Sequence, residues 1–158
     1  MNVMHPPFVH FVVALPFVAL FSQFTYMVTK DKAYSKAAIR IIGFALLVSF
    51  FAVLSGLNDA DKIVAGHSIV KEGMDALGNH KVFGFVVVVV LLLTTIVKWF
   101  AISKDSALLE NLSIALIIIA LMTTLYQGRS GGSIVYQYAG GIDDKVVMQR
   151  ASEHGEKK

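Results

Sequence analysis

Four long apolar runs separated by short polar stretches organise this chain. The first extends from Phe8 to about Val28 without a charged residue, and the second from about Ile41 to Leu57. The third, from about Val82 to Ile102, contains FVVVVVLLLTTIV and closes on Lys98 and Trp99; the fourth runs from about Leu108 to Tyr126, with Glu110 at its start. A helix of about 20 apolar residues covers the hydrocarbon core of a bilayer. In water a β-branched run would suggest a strand. At this length and without turn residues it predicts a lipid-embedded helix, in which every backbone polar group is paired internally. The expected fold is therefore all-α, an integral membrane four-helix bundle. Pro6 and Pro7 suit the first turn of the first helix, where a missing N–H costs little, and Pro16 predicts a kink inside it. That run lacks a basic leading region and is too long for a secretory signal core, so it reads as an uncleaved span.

Between the second and third runs, Ile63, His67, Val70, Met74 and Leu77 follow one another at spacings of 4, 3, 4 and 3. This is the apolar stripe of an amphipathic helix, with Lys62, Lys71, Glu72 and Asp75 turned away from it. A short helix on the membrane face is the expectation. Residues 1–142 then form the transmembrane domain and 143–158 a polar, mobile tail.

Composition agrees with this class. Of the 158 residues, 56% are hydrophobic and 16% charged, against about 45–50% and about 25% in soluble domains. Cysteine is absent, which removes disulfides, thiolate metal sites and covalent haem attachment. Any metal would be held by His, Met, carboxylate or carbonyl groups. The formal charge of +3 comes without a Lys/Arg block interleaved with aromatics, so nucleic acid is not an expected partner.

No Lys or Arg precedes the first span, whereas Lys30, Lys32, Lys36 and Arg40 follow it. The positive-inside rule puts that loop in the cytoplasm. Lys98 and Lys104 agree; Lys62, Lys71, Lys81, Arg129 and Lys145 fall on the other side. The reading is a multi-pass protein of the bacterial cytoplasmic membrane with both termini periplasmic. Parity needs no orientation: with four spans, His5, His10, His67, His80 and His154 all lie toward one membrane face, and the other has no histidine.

Ionisable residues within spans are functional candidates. His10 and His80 each fall within roughly 5–8 Å of that interface at the helical rise per residue. Ala14 and Gly84 lie one turn deeper on the same faces, leaving room for a flat macrocycle between two imidazoles. These two are the candidate axial ligands of a haem b. The bland alternative is close helix packing at small residues. His67, on the inward stripe, and His5, before the proline pair, are candidates for a second haem, or respectively for interfacial packing and capping. Arg129 is the candidate partner of a haem carboxylate, since guanidinium pairs well with such groups; helix anchoring at the headgroups explains it equally. His154 sits in the polar tail and reads as solvated.

The segments HPPFVHFVVAL, GNHKVFGF and GGSIVYQYAGG together resemble an uncharacterised bacterial family of four-helix membrane proteins. Its pattern is a His-Pro-x-x-Val-His-Phe opening, a His at the third helix and a Gly-Gly-x-x-Val-Tyr stretch near the end. Here it falls on His5, Pro6, His10, Phe11, His80, Gly131, Gly132, Val135 and Tyr136, within residues 4 to about 142. The resemblance implies a membrane domain of unknown function, with a histidine pattern similar to that of b-type cytochromes. This chain departs at Val12, where relatives carry proline, and at Tyr138, where relatives carry histidine that could serve as a ligand.

Three readings follow. In the first, a haem b protein passes electrons between quinone or a periplasmic carrier and a partner, because bis-histidine iron has no open position. In the second, the histidines with Met1, Met4 and Met74 bind copper or zinc. In the third, the chain is a cofactor-free structural or assembly subunit, a homo-oligomer or part of a larger complex. No nucleophile–base–acid arrangement is present, so a redox protein or subunit is expected rather than a standalone enzyme.

Overall fold

The computed structural model describes residues 4–67 and 69–155, without the side chains of residues 154 and 155. Four helices long and apolar enough to cross a membrane make up the body: α1 (His5–Thr29), α2 (Lys32–Ala65), α3 (Gly73–Ser103) and α4 (Ala107–Tyr136). They form an antiparallel bundle in which each helix packs on two neighbours, and α1 and α3 lie across a diagonal. The 34 residues of α2 rise about 50 Å, well beyond a hydrocarbon core of about 30 Å. The helices therefore run further than their apolar runs, because polar ends in water keep the same backbone bonding.

Local signals fix the ends. Pro6 and Pro7 occupy the first turn of α1, as their missing N–H groups favour, and α1 continues through the buried Pro16. Lys30, in the left-handed region at φ 58°, closes α1, and Asp31 caps α2 by accepting from the Ala33 N–H at 2.8 Å. Ser106 does the same for Leu109 in α4. On this face an exposed Lys32–Asp105 ion pair at 2.7 Å joins the two connections.

The expected amphipathic helix between spans 2 and 3 is not a separate element. Helix α2 continues to Ala65, residues 66, 67 and 69–72 belong to no helix, and α3 begins at Gly73. The apolar stripe belongs instead to two helix ends. Ile63 of α2 and Leu77 of α3 are buried together with Ala60 and Ile134, whereas His67, Val70 and Met74 are exposed. Periodicity alone does not distinguish one helix from two whose ends pack together. The polar tail contains a fifth helix, α5 (Asp144–Gly155).

The packing is that of a protein in lipid. Phe17, Phe21, Phe24 and Leu54 point outward, while the interior is built on small residues such as Ala19, Ala38, Ala45 and Ala120. Small residues let helix backbones approach closely where lipid tails remove the hydrophobic incentive to associate. The middle layer is apolar, formed by Ile42, Ala45, Leu91, Ile117 and Ala120.

Toward the face opposite the histidines, each helix contributes one group to a buried polar knot. Lys98 of α3 forms an ion pair with Glu110 of α4. Its ammonium also donates to Ser35 Oγ of α2 at 2.8 Å, and Ser35 donates to Glu110 Oε1 at 2.7 Å. Gln23 Nε2 of α1 donates to Glu110 Oε2 at 2.8 Å. Lys98 and Gln23 are fully buried. Removing one partner of such a pair leaves a buried charge unmatched, which costs about 3–5 kcal/mol, whereas replacing both by apolar groups is near neutral. Lys98→Met or Glu110→Gln alone should therefore lower the unfolding temperature in detergent markedly. The double substitution Lys98→Met with Glu110→Leu should recover most of the loss, and a double variant no more stable than the singles would count against this account.

Candidate functional site

At the histidine face the bundle opens into a cavity of about 330 Å³. Its floor is formed by Val12, Ser49, Val87 and Thr124, and Asp59 and Lys81 stand among its polar lining. Val12 and Val87 each lie seven residues beyond a histidine on the same helix, so the apolar shaft is about 10 Å deep.

His5 is the first residue of α1, and Asp59 of α2 holds it there. Asp59 Oδ2 accepts from the Met4 N–H at 2.8 Å and the His5 N–H at 2.9 Å. The start of α1 has no side-chain cap of its own, and the neighbouring helix supplies one. Lys62 steadies the carboxylate at 3.2 Å. The His5 ring lies against Gly56, where an added Cβ would fall 2.9 Å from Cε1 and Nδ1. His5 Nδ1 is 2.8 Å from the Ala52 carbonyl. A carbonyl only accepts, so the proton is on Nδ1 and Nε2 keeps its lone pair.

His80 reaches in from α3 across the diagonal and is clamped by α4. Gln127 Nε2 donates to His80 Nε2 at 3.2 Å and to the His80 carbonyl at 3.0 Å. The amide nitrogen can only donate, so Nε2 is the acceptor and Nδ1–H points to Ser130 Oγ at 3.2 Å. Gly131 leaves space for this ring, with a hypothetical Cβ 3.1 Å from Cε1. The two rings meet in a T-shaped arrangement, with centroids 6.1 Å apart and planes at 86°. Both imidazoles thus share one tautomer, with Nδ1 protonated and Nε2 carrying the lone pair. Among the described residues Gln127 Oε1, like Gln23 Oε1, is buried without a hydrogen-bond partner.

The structure pairs His80 with His5 and leaves His10 apart. His10 is exposed, and its Nδ1 lies 2.6 Å from the Pro6 carbonyl of its own helix. Five residues separate it from His5, a rotation of about 140° around the helix, which turns it away from the bundle axis. The apolar runs put His10 and His80 at one depth, whereas α3 begins nine residues before Val82. His67 is exposed at φ 50° in the turn after α2. It does not meet His5, so these two do not form a second pair. Arg129 is exposed and outside the cavity lining; Lys81 is the cation there, in a loose 4.0 Å pair with Asp61. Gly84 does line the cavity, but the side chain close to it is Gln127, whose Nε2 would lie 3.3 Å from an added Cβ, and not His80. The His154 side chain and Met1 lie outside the described residues.

Among the described residues no three His, Cys, Asp or Glu side chains converge as a metal site. Met4 and Met74 are exposed and do not line the cavity. Asp59, Gln127 and Ser130 were not singled out in the sequence. Gln127, Ser130 and Gly131 stand at i, i+3 and i+4, one helical face, and that spacing is the one signal that could have marked them.

A family profile described as "Predicted membrane protein (DUF2231)" matches residues 2–144, and the chain belongs to that family, whose function is unknown. No curated protein and no solved structure matches the chain.

Loss of a helix cap costs about 1 kcal/mol. Asp59→Ala should free the start of α1 and accelerate hydrogen exchange at the Met4 and His5 amides several-fold, while amides of the Lys98–Glu110 layer stay protected. Unchanged exchange at residues 4 and 5 would remove Asp59 from this role.

Proposed function

We propose that this member of the family binds haem b in the bacterial cytoplasmic membrane, with His5 and His80 as the two axial ligands. The observation that carries the reading is the pair of imidazoles from separate helices, 6.1 Å apart above an apolar shaft. Two imidazoles are the donor set that a bis-histidine haem would use, and His5 and His80 would hold it. Metal-ligating histidines characteristically give their other N–H to a carbonyl or similar acceptor. His5 does so to Ala52, and His80 has Ser130 in that position.

The donor set favours haem over a bare zinc ion. Two imidazoles without a third ligand leave zinc short of its usual protein ligands, whereas a porphyrin supplies four nitrogens itself. Absence of cysteine makes the haem non-covalent. Gly56 and Gly131 give the His5 and His80 rings their seats, Gly84 lines the cavity, and Lys81 replaces Arg129 as the cation for a haem carboxylate. A bis-histidine iron exchanges one electron without needing an open position. The chain's own part is to set the ring spacing, fix the tautomers and keep the shaft apolar. Electrons would pass between the quinone pool or a periplasmic carrier and a partner. The positive loop after α1 favours periplasmic termini, which puts the histidine face on that side.

Purified protein should carry a Soret band with the split visible bands of low-spin haem on reduction. His5→Ala and His80→Ala should each abolish the low-spin spectrum while the chain still inserts, and His10→Ala should keep it. A colourless protein that binds stoichiometric copper or zinc would replace this reading with a metal-handling one. A colourless, metal-free protein would favour a cofactor-free subunit, and loss of the spectrum in His10→Ala alone would overturn the ligand assignment.

A further inference from the structure

On the face opposite the histidines the cations are not equally engaged. Lys98 is inside the polar knot, Lys32 pairs with Asp105, and Lys104 lies 5.5 Å over the Phe100 ring. Lys36 and Arg40 of α2 are exposed, and among the described residues neither charge has a protein partner. They stand one turn apart on one helical face, with Cβ atoms about 6 Å from each other. That face continues as Phe44, Leu47, Phe51 and Leu54, each at least half exposed. The steps from Lys36 onward are 4, 4, 3, 4 and 3 residues, so the six side chains form one outward stripe. It is cationic at its end and apolar along its length.

Beside the stripe, the junction with α3 is built from small groups. Within 4 Å a Cβ added to Gly43 would meet only the Thr95 methyl, at 4.0 Å. That contact sets the register of the two antiparallel helices. One turn toward the knot, it brings Trp99 of α3 level with Ile39 and Arg40. Trp99 is exposed, and such tryptophans gather at the headgroup level of a bilayer. Arg40 therefore stands at that level, where its helix turns apolar at Ile41. A charge left unmatched beside lipid is costly, so this guanidinium calls for an anion.

We propose that the stripe binds one anionic phospholipid, its phosphate held by Arg40 and Lys36 and an acyl chain lying along Phe44, Leu47 and Phe51. Charge complementarity selects the head. Guanidinium grips two phosphate oxygens in a fork, and the ammonium adds a point charge. A zwitterionic lipid offers the same phosphate but brings its own cation, which these two side chains repel. From Arg40 to Phe51 the helix rises about 16 Å, half of a hydrocarbon core of about 30 Å, so the apolar part of the stripe matches one leaflet. The site lies at the other membrane face from the histidine cavity and is independent of what that cavity holds.

Thermal unfolding of the purified full chain in detergent, titrated with phosphatidylglycerol or phosphatidylcholine, tests the site. Phosphatidylglycerol should raise the unfolding temperature at concentrations at least about tenfold lower, since each cation beside anionic lipid is worth about fivefold. Arg40→Gln and Lys36→Gln should each weaken that response by about fivefold, with the unfolding temperature in lipid-free detergent unchanged. Lys30→Asn removes an exposed cation outside the stripe and should leave the response as it is. Equal responses to the two lipids would overturn the site, and so would equal losses in Lys30→Asn and Arg40→Gln, which mark a diffuse surface charge. Inorganic phosphate alone reproducing the shift would replace the lipid by a free anion and overturn it too.

Discussion

An ammonium and a carboxylate taken out of water together, with a hydroxyl and an amide closing around them, set the register of this bundle. Lys98, Glu110, Ser35 and Gln23 come from four different helices. In a hydrocarbon surrounding, none of them can slide along its helix without abandoning a charged partner, at a cost of several kcal/mol. Apolar packing of alanines and leucines tolerates small shifts far better. The knot therefore pins the helices at one end, and the apolar layer of Ile42, Leu91 and Ile117 carries that alignment through the membrane.

The consequence appears at the other end. Gln23 follows His5 by eighteen residues, and Lys98 follows His80 by the same interval. Eighteen residues are five turns of an α-helix and about 27 Å of rise, close to the thickness of the hydrocarbon core. Each histidine therefore lies on the same helical face as a member of the knot, and once the knot forms both imidazoles arrive inside the bundle at a common level. His10 is out of phase with that interval and is exposed. The site and the knot are in this sense one arrangement, with rigid charge pairing at one end allowing an open, glycine-lined space at the other.

That space is maintained by groups that would be costly to leave unpaired. Asp59 supplies the cap that the start of α1 lacks, and α4 presents an amide, a hydroxyl and a glycine on one face around His80.

Much of this was legible before any coordinates. The four apolar runs dictated four spans, because only helices satisfy their backbones in lipid. The even number of crossings brought every described histidine to one face, and the proline pair marked the start of α1. Which histidines meet was beyond such reading, because it depends on helix ends and rotations that an apolar run does not encode. Lys98 and Glu110 looked like interfacial charges when taken singly; only folding shows that they share one buried hydrogen-bonded cluster. The stripe from Ile63 to Leu77 had the period of one helix and became two helix ends. In each case the local pattern is a property of the chain, whereas pairing is a property of neighbouring helices: hydropathy along the chain determined the elements, and the need to satisfy buried polar groups across helices decided how they meet.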